Sequence, residues 1–561
     1  MQLSIGITGH RDLVEEEKPS LEYRVRALFD SLSAQYPDLE LQLLTALADG
    51  ADRLAAGVAI DMGIPLIAIL PMEQSEYEKD FQAVEALAEF HGMLNSAERV
   101  IILPTLSANG ELGRDSLYAQ LGLFISNHCQ VLLTLWDGKE FDAVGGTSHV
   151  VNYHLTGVMD GFEGDLSPAS LLADNENDLI HHIVCSRDRP DGAPAEHLTA
   201  LEASWFSSRK NGERSPDIPE AYRMQLDRLQ QFRRDWKEKA SIVRSRSSSL
   251  LESAPELVVP TGVSKTDQLF QAADGLAIHY QKRVNSSLRA IHLLAIMMGL
   301  VFLVYSEFDG PGYMVLTFLG LFFAGVAVHI IGSSREWHRK YLDYRALAEG
   351  LRVQFYWNLS GVVNTESAGF AYDNFLQTQD VDLGWIRHVM RQASMDRVRG
   401  QAPDPGWVSW VIEEWIGEPV SGRGQLAYYS HKKLHNTSRF RRTRVLGNLC
   451  LWAGIMIAVL LFLQGADGDD GQRRMLLVLM GVLPLVAGIW DAYSHKKAEK
   501  ELIKQYGFMS RVFSKARKLV DEFPDVTFQR QVLRALGQAA LDEGAEWLLM
   551  HRERPLEHGR L

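Results

Sequence analysis

Cysteine is nearly absent: the 561 residues hold three, Cys129, Cys185 and Cys450. They have no metal-ligand spacing and allow no disulfide framework to be inferred. Cys450 falls within an apolar run, where a thiol packs as a small hydrophobe. Positive charge is also in deficit. With 57 Lys and Arg against 71 Asp and Glu the formal net charge is −14, which argues against a nucleic-acid polymer as the main partner. The opening MQLSIGITGHRD reads as a strand and turn without a basic n-region, so no cleavable signal is expected and the front of the chain should stay in the cytoplasm.

What the chain does have is four long apolar runs in its second half, at residues 290–306, 314–332, 445–463 and 475–491. At about 1.5 Å per helical residue each reaches roughly 26–29 Å, enough to cross the hydrocarbon layer of a bilayer. The connectors EFDGPGY and QGADGDDGQRR are rich in turn formers, so the runs pair into two helical hairpins. Basic residues flank one side: Arg335, Arg339 and Lys340; Arg439, Arg441, Arg442 and Arg444; Lys496 and Lys497. The first connector has neither Lys nor Arg, and the second has Arg473 and Arg474 beside three Asp. Four crossings with both termini inside fit the positive-inside rule best.

The runs hold no chain of ionisable residues such as transporters use. His292 and His329, near run ends, read as interfacial, and Asp491 as pairing with Lys496 or meeting water. Small residues recur in the runs (Gly320, Ala324, Gly325; Gly481, Ala487, Gly488) and suit close helix packing between subunits.

Residues 1–186 alternate short apolar runs (3–8, 41–44, 66–70, 100–103, 131–136, 180–185) with helical patterns (23–35, 52–62, 77–92, 116–128, 147–156). This alternation predicts an α/β domain, a Rossmann-like doubly wound parallel sheet, followed by an all-α membrane region. The domain order expected is 1–186 for ligand binding, 187–268 for a polar linker with a helical arm, and 269–360 for a first two-span module. A connector at 361–425 and a second two-span module at 426–561 with C-terminal helices complete it. LAIHYQKRVNSSLR before the first hairpin echoes LAYYSHKKLHNTSR before the second, as a duplicated unit would. The basic, aromatic helices at 335–352 and 494–511 either lie along the membrane or stack as a bundle.

An open α/β sheet binds ligands at the carboxyl ends of its strands, and three loops there carry suitable residues. GITGHRD offers a tight turn at Gly9 with His10 and Arg11 to reach a phosphate or ribose. LADGADRLAA offers Gly50 and Asp52, the latter a good helix cap. WDGKEFDAVGGTSHVV offers Asp137, then Gly145 and Gly146 for close backbone approach, with Thr147, Ser148 and His149 opening a helix. The free N–H groups and dipole of such a helix favour an anion. Glu76, Tyr77 and Asp80 are further candidates for a ribose contact.

The strand-GHR start, the GADRLAA helix, LPMEQSEYEKDF and WDG…GGTS together resemble SLOG domains, the Rossmann-like superfamily that includes the LOG and DprA folds. KYLDYRALAEGLR, KELIKQYGFMSRVFSKA and LGQAALDEGAEWLLMHRERPLE resemble SLATT membrane modules found beside SLOG domains in bacterial conflict systems. The resemblance implies a sensor of a nucleotide-derived messenger, ADP-ribose-like or cyclic, joined to a homo-oligomeric membrane effector in the bacterial inner membrane. Such a protein would act in anti-phage defence. LOG hydrolases carry PGGxGTxxE, whose Glu does acid–base work; here Val150 stands in its place, so binding without turnover is expected, with no catalytic residue, metal or cofactor. The alternative is a membrane-anchored nucleotide hydrolase in which Asp12, Asp52, Asp137 or Glu76 replaces that Glu; a transporter is a third reading.

Overall fold

The computed structural model describes residues 1–107, 110–111, 113–140, 144–159, 178–208, 212–260, 262–308, 311–362, 375, 381–395, 403–418, 422–464 and 470–552. The chain divides into two compact units. The first comprises Met1–Ala240, Val258–Gln268 and Val363–Pro403, and the second Ser241–Leu257, Leu269–Val362 and Asp404–Leu561.

The first unit is built on a seven-stranded sheet. Its strands are β1 (Gln2–Gly9), β2 (Glu40–Thr45), β3 (Leu66–Leu70), β4 (Arg99–Ile102), β5 (Val131–Trp136), β6 (Ile180–Val184) and β7 (Ala203–Phe206), in the order β4-β3-β2-β1-β5-β6-β7. All neighbours run parallel except β6 and β7. Helices α1 (Lys18–Gln35), α2 (Ala51–Asp61), α3 (Val84–Ser96), α4 (Arg114–His128) and α5 (Thr147–Thr156) connect the strands. Parallel strands covered on both faces must be apolar throughout, and β3 and β5 are buried at every residue. Helix α1 turns Leu21, Val25, Leu28 and Leu32 inward at the spacing of one helical face, and Pro19 starts it. Some buried polar groups of the central strands bond across the sheet: Ser4 N–H donates to Gln130 Oε1 at 2.6 Å and Gln42 Nε2 to Ser4 Oγ at 2.5 Å.

Two sequence expectations differ locally. The helix expected at 77–92 is broken, with a short turn at Gln74–Tyr77 and α3 beginning only at Val84. Phe81 between them is extended and packs with Tyr77 and Phe90 at centroid distances of 5.2 and 4.9 Å, and that aromatic cluster interrupts the helical spacing. Residues 187–240, expected as a polar linker with a helical arm, belong to the first unit: besides the expected helix, α6 (Glu220–Glu238), they supply the antiparallel edge strand β7. Phe232 of α6 packs on Trp385 at 5.6 Å.

Burial sets an acid sensitivity in this unit. It lowers His154 and His181 to about 3 and His182 to about 4, so the folded form stays neutral where the unfolded chain, near 6.5, takes up protons. Their stabilising contribution is complete above pH 6.5 and is lost as pH falls toward 4. Asp52, raised to about 6 by burial, acts in the opposite sense between its ordinary 3.8 and 6. His388, also lowered by burial, adds to them, so the depressed groups outnumber Asp52 and stability falls as pH falls through this range, each uncompensated group contributing roughly 1.4 kcal/mol per pH unit. The urea midpoint at which sheet peptides become protease-sensitive should therefore fall steeply between pH 6.5 and 5; a midpoint that stays level contradicts the neutral, buried histidines.

Helix α7 (Val263–Glu307), which belongs to the second unit from Leu269 onward, and α8 (Tyr313–Ser334) form one hairpin. Helix α9 (Trp337–Ser360) follows; α10 (Gly384–Ser394) belongs to the first unit. Helices α11 (Gly424–Gln464) and α12 (Asp470–Lys496) form the second hairpin, before α13 (Glu499–Glu522) and α14 (Val526–Arg552). Among the described residues four helices are long and apolar enough to cross a membrane, as the sequence predicted. Of the two readings for the basic helices, the first one packs in a bundle: α9 is buried almost continuously from Leu342 to Ser360. Trp357 donates its indole N–H to Leu533 O of α14 at 3.0 Å, and Tyr356 stacks on Trp415 at 5.1 Å. Its charges are paired, Arg345 with Asp274 of α7 at 3.5 Å and Arg352 with Glu349 of α9 itself at 2.5 Å.

Candidate functional site

The sheet order reverses at β1, which lies between β2 and β5. In open α/β sheets the crevice beyond the carboxyl ends of the strands at that point is where ligands bind. A cavity of about 490 Å³ lies there, within the range of roughly 300–1,000 Å³ usual for small-molecule sites.

The loop after β1 forms its floor. A Cβ on Gly9 would sit 2.6 Å from Leu135 O, so no side chain fits where β1 and β5 converge. His10 N–H donates to Leu135 O and Ala51 N–H to His10 O, each at 3.0 Å, which fixes the turn. His10 Nε2 lies 3.0 Å from Asp137 Oδ1 and 3.2 Å from the Asp137 amide nitrogen. One ring nitrogen serves only one of these contacts at a time, as donor to the carboxylate or acceptor from the amide. Burial would raise the Asp137 carboxyl, but hydrogen bonds from His10 and the Lys139 amide, with the nearby Arg187 charge, hold it below its ordinary value. Its Oδ2 has no hydrogen-bond partner among the described residues. Arg189 approaches that oxygen to 3.9 Å.

Arg11 lines the cavity with its guanidinium 5.6 Å from the centroid of the Tyr118 ring and makes no ion pair among the described residues. Asp52 also lines it, 6 % exposed, but its Oδ2 accepts from the Ala46 amide at 3.0 Å and from Thr45 Oγ1 at 3.3 Å. That carboxylate ties the β2 loop to α2. Burial raises it to about 6, against the pull of those two hydrogen bonds and the Arg11 charge.

The opposite wall is the start of α5. Gly145 has φ +75°, and a Cβ there would lie 2.8 Å from the Ala119 amide nitrogen, so glycine is required on both counts. Gly146 is the N-cap and, lacking a side chain, caps no first-turn N–H itself. Gly145, Gly146, Thr147 and Ser148 all face the cavity. An uncapped helix start presents backbone N–H groups and the positive end of the dipole to whatever enters. Val150, one turn on, is apolar wall, 4 % exposed and packed where a Gly122 Cβ would be.

Of the sequence candidates, Gly9, His10, Arg11, Asp52, Asp137, Gly145, Gly146, Thr147 and Ser148 thus gather in one place. Gly50 and His149 lie outside the lining. Gly50 has φ +82° and presses on the backbone of His10 and Arg11, so it shapes the loop from behind. His149 turns away, with Nδ1 buried and unpartnered among the described residues. Glu76 is exposed and bound to Lys79 at 2.6 Å, while Asp80 is held by Arg114 and the Tyr118 hydroxyl. Tyr77 lines the cavity and donates to Ala46 O at 3.1 Å.

Three cations at the rim escaped sequence reading: Lys139, Arg187 and Arg189. Arg187 is pinned by Asp12 at 2.9 Å, and the Asp188 amide donates to Asp12 O at 2.8 Å. The available signal was the turn-rich RDRPDG directly after β6, a strand end that borders the same crevice. Among the described residues no cluster of His, Cys, Asp or Glu is arranged to hold a metal ion. No protein-family model, curated protein or solved structure matches this chain.

Proposed function

We propose that the first unit binds a phosphate ester derived from a nucleotide, ADP-ribose-like or cyclic, and that occupancy changes the state of the membrane helices. The observation that carries this reading is the uncapped start of α5 facing Arg11 across a cavity at the sheet's topological switch. The sequence resemblance to SLOG and SLATT modules points the same way. In that reading the protein is a homo-oligomer in a bacterial inner membrane with both termini in the cytoplasm. Ligand binding opens a leak, and depolarisation stops an infecting phage. To pass from about 1 % to 99 % open, the ligand must bind the open arrangement roughly 10⁴-fold more tightly.

Binding without turnover is the reading supported by the missing LOG glutamate. Val150 stands where a LOG hydrolase carries that Glu, Asp52 accepts from the Thr45 and Ala46 donors, and Asp137 accepts from His10 and the Lys139 amide through Oδ1, leaving Oδ2 without a hydrogen-bond partner among the described residues. Calorimetric titration of the full chain in detergent with ADP-ribose and cyclic nucleotides, followed by mass spectrometry, tests this. One ligand of the set should bind and be recovered intact. Ligand consumed would make the protein an anchored hydrolase, and no binding by any would refute the phosphate-ester reading.

A further inference from the structure

The second hairpin carries a site of its own, unrelated to the cavity of the first unit. Where the start of the apolar run in α11 meets the end of the run in α12, a groove of about 410 Å³ opens between the helices. Its mouth holds Arg444 and Asp491, with Trp490 beside them. Both charged residues are exposed, and neither has an ion-pair or hydrogen-bond partner among the described residues. They border one cavity without bridging each other. Charges at the edge of a membrane helix normally pair or reach for the interface, and tryptophan concentrates at that level.

Below the mouth the walls are mostly apolar, Gly447, Leu451, Pro484, Ala487 and Gly488, with the polar Asn448 among them. A Cβ at Gly447 or Gly488 would meet nothing within 4 Å, so within the chain these glycines leave space where a side chain would fit. The groove closes at its deep end. A Cβ at Gly454 would lie 3.0 Å from Pro484 Cγ, so the two helices touch there. Gly454 and Pro484 are ten and seven residues from Arg444 and Asp491, about 10–15 Å along the helices.

We propose that this groove holds one zwitterionic phospholipid, with its phosphate on Arg444, its ammonium on Asp491 and the start of its acyl chains along the small-residue floor. Guanidinium binds phosphate through paired hydrogen bonds, and the carboxylate accepts from a primary ammonium. Phosphatidylethanolamine satisfies both. A phosphatidylglycerol head would leave Asp491 without a counter-charge, and the quaternary ammonium of phosphatidylcholine has no N–H to donate.

Native mass spectrometry of the full chain tests this, with an equimolar mixture of the three phospholipids and activation strong enough to strip loosely held lipid. Phosphatidylethanolamine should remain about fivefold above either competitor, as one charge contact at a membrane surface supplies. Arg444→Gln should cut its retention about fivefold through the same contact. Asp491→Asn should erase its preference over phosphatidylglycerol. Gly488→Leu fills open space and should leave the melting temperature unchanged while abolishing retention. Equal retention of all three lipids, or the same retention in every variant, would overturn the proposal. So would a change of oligomer mass in Gly488→Leu with lipid retention unaltered, which would put a second copy of the chain in the groove.

Discussion

Replacing Gly146 with Asp is expected to weaken binding of ADP-ribose at least about 100-fold, equivalent to roughly 2.7 kcal/mol, with no loss of melting temperature. Gly146 is the N-cap of α5 with φ −74° and ψ 168°, a backbone geometry any residue adopts. Asp is among the best N-cap residues, and its carboxylate would accept from N–H groups of the first turn. The helix would gain a few tenths of a kcal/mol over glycine. The same carboxylate would occupy the anion position and repel a phosphate by like charge. Affinity and stability should thus move in opposite directions, which a merely damaged fold does not produce. Calorimetry and a melting curve on the same sample check both. Wild-type affinity in this variant would show that the start of α5 is not where the phosphate sits.

The largest stability effect is expected in the second unit, from Gly537→Val. Gly537 of α14 lies against the face of Trp357, where a Cβ would overlap the indole Nε1, Cε2 and Cζ2. Trp357 is fully buried, and its indole N–H donates to Leu533 O one turn earlier in α14. A valine must push the ring aside and break that bond. Overpacking costs about 1–3 kcal/mol, and a buried indole N–H without an acceptor costs about 1–3 more. Helix α14 should then detach from α9. Limited proteolysis at the connection near Pro524 should quicken at least tenfold, equivalent to about 1.4 kcal/mol, while nucleotide affinity stays unchanged. Unaltered proteolysis would mean that α14 is held by other contacts.

Much of this was legible because the signals are local. The β1 and β5 loops announce themselves through Gly9 and Gly145–Gly146, since only glycine fits where strands converge or φ turns positive. The apolar runs of the hairpins are equally plain. What stayed hidden depends on distant partners. Arg187 joins the rim because Asp12, 175 residues earlier, pins it. The polar stretch around residue 203 becomes an edge strand because β6 offers an open side. Asp52 reads as a helix cap and instead binds Thr45 at the end of β2 and Ala46 just after it. His149 has the right chemistry at the wrong helical phase, so Val150 faces the cavity in its stead.

The most direct test of the link between cavity and membrane is ion leak from liposomes containing the full chain, followed as ADP-ribose or the ligand found by calorimetry is added. Leak should begin only with ligand, reach half its maximum at the concentration that half-saturates binding, and vanish in Gly146→Asp. Saturated binding with no change in leak would show that the four helices anchor the nucleotide-binding unit without responding to it.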